Sequence, residues 1–325
     1  MGPIKRFLLS NEFGLIVLIV VFAIIFSSLS PAFLSKFSLF ALGRTAAVNI
    51  MIGFAMMVVI VTGGLNLAVG AIGVSAAMFG GWLMQGAGIH WAPAVAGGLA
   101  LGAALGALNG VVIVRSGLHS FIITLATMSI IFGAMIFITQ AESYREISPA
   151  FSSFGGLRFW GVVPAVLLVS VAVGIGLWVL YAFTALGRQI LAAGANPAAA
   201  GLSGIRVERT IIWSHALSGA LAGLAGFMLV SRTGAAIPSM AGQLGQDWLL
   251  PAFLAPVLGG TLLTGGKVSV LGTLLGGFLV TMLTAGLLLM QIGAFWIQTF
   301  LGLLLLVAVL MDLARRSYLA RNKLV

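Results

Sequence analysis

The chain has 325 residues, 61% hydrophobic and 7% charged, with a mean hydropathy of +1.20. Soluble domains carry about 25% charged residues, so this chain has too little polar surface to clothe a globule and reads as a polytopic membrane protein. Its net charge of +10 is scattered over the ends of apolar runs, as in topology determinants, which excludes nucleic-acid binding; the absence of cysteine excludes disulfides, thiolate metal sites and a cysteine nucleophile.

No polar run is long enough to fold as a separate soluble domain, so residues 1–325 form one transmembrane domain. Breaks at Pro, Gly and charge predict an all-α helical bundle of about ten spans. They fall at 13–32, 46–63, 66–86, 93–114, 119–139, 162–183, 210–230, 248–264, 270–290 and 295–312. Lys5 and Arg6 precede the first apolar run, Phe13 to Leu29. A cleaved signal peptide would look similar, but Ser28 to Pro31 makes a poor cleavage site, and the run is expected to stay as the first helix.

The second and third spans are divided by GGLNLAVG at 63–70, with Gly63, Gly64 and Gly70 around Asn66. Paired glycines with an Asn suggest a broken helix. Unwound backbone at membrane depth is tolerated only when buried in protein or lining a wet cavity. The segment is therefore either a pore element or a short turn at the membrane surface. A related pattern recurs at Val257 to Gly266, where Gly259 and Gly260 align with Gly63 and Gly64, as an internal duplication would leave. In a chain with 44 glycines chance alone is a rival explanation.

Gln140 to Gly161 is the largest segment expected outside. It mixes Glu142, Arg145, Glu146 and Arg158 with Phe151, Phe154, Phe159 and Trp160. Charges that steer and aromatics that anchor would suit a docking surface; aromatics at the headgroups would suit an interfacial loop.

The segment at about 184–209 is short, small-residue and basic, and should lie in water on the cytoplasmic side. Asn196 suits a helix cap, Pro197 the first helical position, Ala198, Ala199 and Ala200 the body, and Gly204 a left-handed end after Leu202 and Ser203. Arg188 and Arg206 flank it. A short helix displayed there is a handle for a soluble motor. With an even span count both termini share one side. If that side is the cytoplasm, it holds Lys5, Arg6, Arg115, Arg188, Arg206, Arg209, Lys267, Arg315, Arg316, Arg321 and Lys323, leaving Lys36, Arg44, Arg145, Arg158 and Arg232 outside, as the positive-inside rule requires.

The interior is poor in acids. Glu12 and Asp312 lie near inner ends, Glu208 in the basic segment, and Glu142, Glu146 and Asp247 outside, whereas ion-coupled carriers commonly place carboxylates within spans. His90 and His119 fall at span ends, and His215 one turn into a span reads as a packing residue. No catalytic pair, metal cluster or nucleotide-binding glycine loop is present, so the chain is expected to be no enzyme and to hold no cofactor or metal. If ATP drives transport, another subunit binds it.

Four blocks in order resemble one family. GGLNLAVG at 63–70 is similar to its Gly-Gly-Ile-Asp-Leu-Ser-Val-Gly signature. The stretch at 108–133 resembles its Asn-Gly…Pro-Phe-Ile-Val-Thr-Leu block, GRQILAAGANPAAAGLSGIRVER at 187–209 its cytoplasmic segment, and LGGTLLTGGKVSVLGTLLG at 258–276 its late glycine block. On these motifs the chain resembles the permease subunit of bacterial ABC importers of the ribose and monosaccharide type, within the branched-chain amino acid/ribose permease superfamily.

The resemblance implies a multi-pass protein of the inner membrane, paired in the lipid bilayer with a second permease subunit, identical or paralogous. It also implies a cytoplasmic ABC ATPase that binds ATP and Mg, and a periplasmic sugar-binding protein. The helix at 196–204 becomes the coupling helix, and the bundle switches which face is open when the ATPase closes. Asn66 and Ala68 stand where the family has Asp and Ser, and Ser120 where many relatives have Pro. A neutral polyol needs amide and hydroxyl partners, so Asn66, Asn109, Thr124 and Gln298 are candidates for the path, with Trp296 near the outer mouth. Each could instead make a helix–helix hydrogen bond. The alternatives are a related permease for branched-chain amino acids or nucleosides, and a secondary carrier or channel that needs no ATPase.

Overall fold

The computed structural model describes residues 11–321. Lys5, Arg6 and Lys323 of the charge partition lie outside the described residues. The chain is predominantly helical. In order it forms α1 (Asn11–Leu29), α2 (Lys36–Ile60), α3 (Val69–Gln85), α4 (Trp91–Ser116), α5 (Ser120–Thr139) and the short α6 (Pro149–Gly156). A small antiparallel hairpin follows, β1 (Arg158–Phe159) with β2 (Val163–Pro164), then α7 (Ala165–Phe183), α8 (Ala185–Ala195) and α9 (Pro197–Leu202). The chain ends with α10 (Val207–Thr233), α11 (Leu249–Leu258), α12 (Val270–Leu289) and α13 (Ala294–Arg321).

Among the described residues, seven helices are long and apolar enough to cross a bilayer: α1, α2, α4, α5, α7, α10 and α12. α3 and residues 295–310 of α13 are shorter apolar helices. The sequence predicts about ten spans, and the difference lies in local chemistry. α3 starts at Val69, three residues inside the predicted limit, and at 17 residues is short for a crossing, while the predicted span at 248–264 stops at Leu258, because Gly260, Gly265 and Gly266 take φ of +82°, +87° and +78°. A 3-10 turn at Gln243–Trp248 leads into α11, with left-handed backbone at Leu244 and Gly245. In the other direction, α2 begins ten residues before the predicted limit of 46, because the Ser35 hydroxyl caps it by accepting from Ser38 N–H at 3.2 Å.

Burial ranks the helices. α2 is apolar all round from Ile50 to Ile60, which suits a core position, and 83% of its most apolar window is buried, against 61% for α10 and 56% for α12. α1, α5 and α7 reach only 11%, 22% and 28%, so most of their surface is left uncovered by the rest of the chain. Between α4 and α10 the backbones touch. Gly98, Gly102, Gly106 and Gly110 recur every four residues along α4, and a methyl on Gly106 would overlap the His215 carbonyl oxygen. Small residues at that spacing are how helices approach closely in lipid. α1 is tied to the rest at its start, where Ser269 Oγ donates to Glu12 Oε1 at 2.8 Å.

The bundle has two distinct ends. α2 starts beside the hairpin, where Gly43 packs on Pro164, and finishes at Val61 beside α8. α10 runs the opposite way, and its last turn packs against Gly155 of α6. One end therefore carries α8 and α9; the other carries α6 and the hairpin.

Candidate functional site

At the first end the chain builds a small projecting helix from local rules. Thr184 Oγ1 accepts from Gly187 N–H at 3.1 Å and starts α8. Asn196 closes α8 and opens α9, its Oδ1 accepting from Ala199 N–H at 3.0 Å, with Pro197 at the first helical position. Ser203 N–H and Oγ both donate to the Ala199 carbonyl, and Gly204 takes φ +82° while Ile205 N–H reaches back to the Ala200 carbonyl at 3.0 Å. That six-to-one closure is a Schellman end. Ala200 faces inward, Ala198 and Ala199 are exposed, and Leu202 is 92% exposed, presenting an apolar tip to solvent. Arg188 donates to the Phe183 carbonyl at 3.4 Å, Arg206 stands at the start of α10, and both are exposed.

The foot of this helix pair meets both glycine breaks. Gly266 N–H donates to the Val61 carbonyl at 2.9 Å, joining the α11–α12 break to the end of α2. Gly194, in the last turn of α8, sits against the same carbonyl, and a methyl there would overlap it. A methyl on Gly265 would come within 2.8 Å of Gly63 N and of the Gly194 carbonyl oxygen, and one on Gly266 within 2.6 Å of Ala195 Cα. Three stretches of backbone thus touch with no side chain between them. Gly63 has φ +78°, a left-handed turn that favours glycine, whereas Gly64 packs near Ser120 with ordinary φ. Gly259 lies against the backbone of Gly272 and Thr273, and Gly70, opening α3, lies against the Gly245 backbone just before α11.

The stretch between Val61 and Ala68 is not an open loop. Leu65 N–H donates to Ser120 Oγ at 2.8 Å, Leu67 N–H to Thr124 Oγ1 at 3.1 Å, and Ala68 N–H to Asn66 Oδ1 at 3.1 Å. Asn66 Nδ2 donates to Ser218 Oγ at 2.9 Å, and that hydroxyl donates to the Ala55 carbonyl at 2.6 Å. Asn66, Thr124 and Ser218 are fully buried. Side chains of α5 and α10 therefore satisfy the unwound backbone, the condition for irregular structure at membrane depth. The departures from the family pattern have local meaning. Ser120 supplies an acceptor that Pro would lack, and Asn66 bonds the N–H of Ala68, a residue whose own side chain offers no cap.

The five path candidates are not brought together. Asn66 and Thr124 share the break. Asn109, on α4, is fully buried and neither side-chain polar atom has a partner among the described residues. Trp296 is 64% exposed and Gln298 exposed, both on α13. A cavity of about 610 Å³ lies elsewhere, among α3, α4 and α5, lined by Ser75, Phe79, Trp82, Leu105, Ile131 and Tyr144 among others, and touches none of the five. His215 is a packed residue, its Nδ1 2.9 Å from the Ile211 carbonyl. Ser218 carries no sequence signal, since it is one of three serines on α10; its role comes only from what packs on it.

Residues 38–310 match the family described as branched-chain amino acid transport system / permease component. The chain is 37% identical to the ribose import permease of Bacillus subtilis strain 168 over 303 residues, 92% of this chain and 90% of that one. It is 36% identical to the ribose import permease of Escherichia coli K12 over 94% of each chain. With the D-allose transport system permease of Escherichia coli K12 it shares 33% over 95% of this chain and 94% of that one. No solved structure matches the chain.

Proposed function

The chain belongs to the branched-chain amino acid transport system / permease component family, and from that premise we propose that it is the membrane-spanning permease subunit of an ATP-driven importer for a monosaccharide. The substrate class rests on relatives with 33–37% identity over nearly the whole chain that import ribose and allose. The engine is a separate cytoplasmic ABC ATPase, the supplier of substrate is an external sugar-binding protein, and a second permease subunit completes the path.

In this reading the α9 end faces the cytoplasm and the hairpin end faces out. α3, α11 and α13 complete about ten crossings, both termini lie inside, and the protein sits in the bacterial inner membrane. α9, with Asn196, Pro197 and Gly204 shaping it and Leu202 at its tip, seats on the ATPase; Arg188 and Arg206 flank the contact.

The observation that carries the proposal is the backbone contact at Gly194. Push on α9 is delivered through α8 to Val61 and Gly266 together, with no side chain to absorb it. The breaks at 61–68 and 259–266 then move as one unit, and so do the ends of α2, α11 and α12. Close-packed interiors respond to small displacements by switching rather than by bending. To move the bundle from about 1:99 to 99:1 between its two states, ATP must favour one of them by about 5.5 kcal/mol. Asn66 and Thr124 hold the break in shape, while the unpartnered Asn109 amide is the candidate for a sugar hydroxyl.

The test uses the exposed tip. Leu202→Glu alone, and Asn196→Asp with Pro197→Glu, should abolish co-purification of the ATPase while leaving membrane insertion and the melting temperature of the permease intact. Undiminished recovery of the ATPase with both variants would overturn the assignment of α9.

A further inference from the structure

Three arginines from distant parts of the chain converge on the hairpin end. Arg44 Nη2 donates to the Arg232 carbonyl at 2.8 Å, and Arg232 Nη1 donates to Thr45 Oγ1 at 2.9 Å. The Arg158 guanidinium lies 4.1 Å from the centroid of the Phe40 ring, and that of Arg44 lies 5.4 Å from the same centroid. Arg158 and Arg232 are both close enough to Arg44 to repel its charge. None of the three has a carboxylate partner among the described residues, and Arg44 Nε is buried without an acceptor.

Like charges gathered without a counter-charge are unfavourable unless something outside the chain supplies it. The fold holds them there by hydrogen bonds and ring stacking. Two residues after Arg158, Trp160 is 85% exposed on the hairpin turn, and its φ of +49° is a left-handed conformation that a tryptophan seldom adopts. Arg and Trp together are the residues that most often anchor protein–protein contacts.

We propose that Arg44, Arg158 and Arg232, with Trp160, form a docking surface for carboxylate side chains on the external binding protein. Lipid phosphate offers similar chemistry, but hydrogen bonds and ring stacking hold the three guanidiniums in fixed positions, with an exposed tryptophan two residues from Arg158, which suits a protein anchor. The proposal rests on the importer reading, which sets this end outside.

The experiment measures ATPase stimulation of the permease–ATPase complex against the concentration of purified, sugar-loaded binding protein. Nanodiscs of phosphatidylcholine alone are compared with nanodiscs that also contain phosphatidylglycerol. Arg158 is exposed on a two-residue strand, so Arg158→Glu spares the helices. It should raise the half-saturating concentration about tenfold or more at low salt, with the gap closing as salt rises. The maximal rate should hold, Arg158→Lys should stay near wild type, and both lipids should give the same result. A wild-type curve for Arg158→Glu would overturn the proposal, and a shift confined to phosphatidylglycerol would assign the cluster to headgroups. A wild-type complex that no binding protein stimulates would bring down the importer reading itself, and the docking surface with it.

Discussion

Thr124 works as a backbone partner before anything else. Its hydroxyl accepts from Leu67 N–H and donates to the Ser120 carbonyl, so one atom satisfies the break and ties it to α5. Thr124→Val keeps the shape and deletes both bonds, leaving a buried N–H unpaired at a cost of about 1–3 kcal/mol. The melting temperature in detergent should fall for Thr124→Val and recover for Thr124→Ser; an unchanged value for Val would remove Thr124 from this role. Residue roles set by near neighbours are legible in the sequence, as the Asn196 cap, the Pro197 start and the Gly204 end of α9 illustrate. The partners of Asn66 are not. Ser218 lies 152 residues away, and only the packing of α10 brings it into reach.

At the scale of elements, the junction of α8 with the two breaks decides whether α9 can transmit anything. Gly194 needs to be glycine for space rather than for φ, since any Cβ meets the Val61 carbonyl. Gly194→Ala forces the foot of α8 away at a cost of about 1–3 kcal/mol. It should cut sugar uptake about tenfold or more in the assembled complex, with the ATPase still bound and still hydrolysing. Gly176→Ala on α7, where a methyl meets open space, is the control and should leave uptake unchanged. Uptake at wild-type level in Gly194→Ala would show that force takes another route. Both breaks are visible in the sequence as paired glycines, and their similarity suggests equivalent places in two repeats. The structure adds that they lie against each other, Gly266 on Val61 and Gly265 beside Gly63. That contact is a property of the fold, and pattern matching along one chain cannot supply it.

Across the whole molecule, the most buried spanning helices form a centre whose two ends do different work. Toward α9 they end in glycine junctions that mate backbone to backbone; toward the hairpin α2 and α10 carry Arg44 and Arg232, which have no carboxylate partner among the described residues. Hydropathy alone places most spanning helices within a few residues, because a run of some 20 apolar residues has few other uses. It fails at the end of α11, where hydropathy continues but the backbone does not, since Gly260 adopts a left-handed φ, and at the start of α2, which the Ser35 cap sets ten residues early. The chain carries a path and a handle, and in this account a separate subunit supplies the energy. Sugar uptake into proteoliposomes tests that claim most directly, with the chain reconstituted alone or with its ATPase, with and without enclosed ATP and added binding protein. The account predicts accumulation only when ATPase, ATP and binding protein are all present. Sustained accumulation by the chain alone under an ion gradient would contradict it.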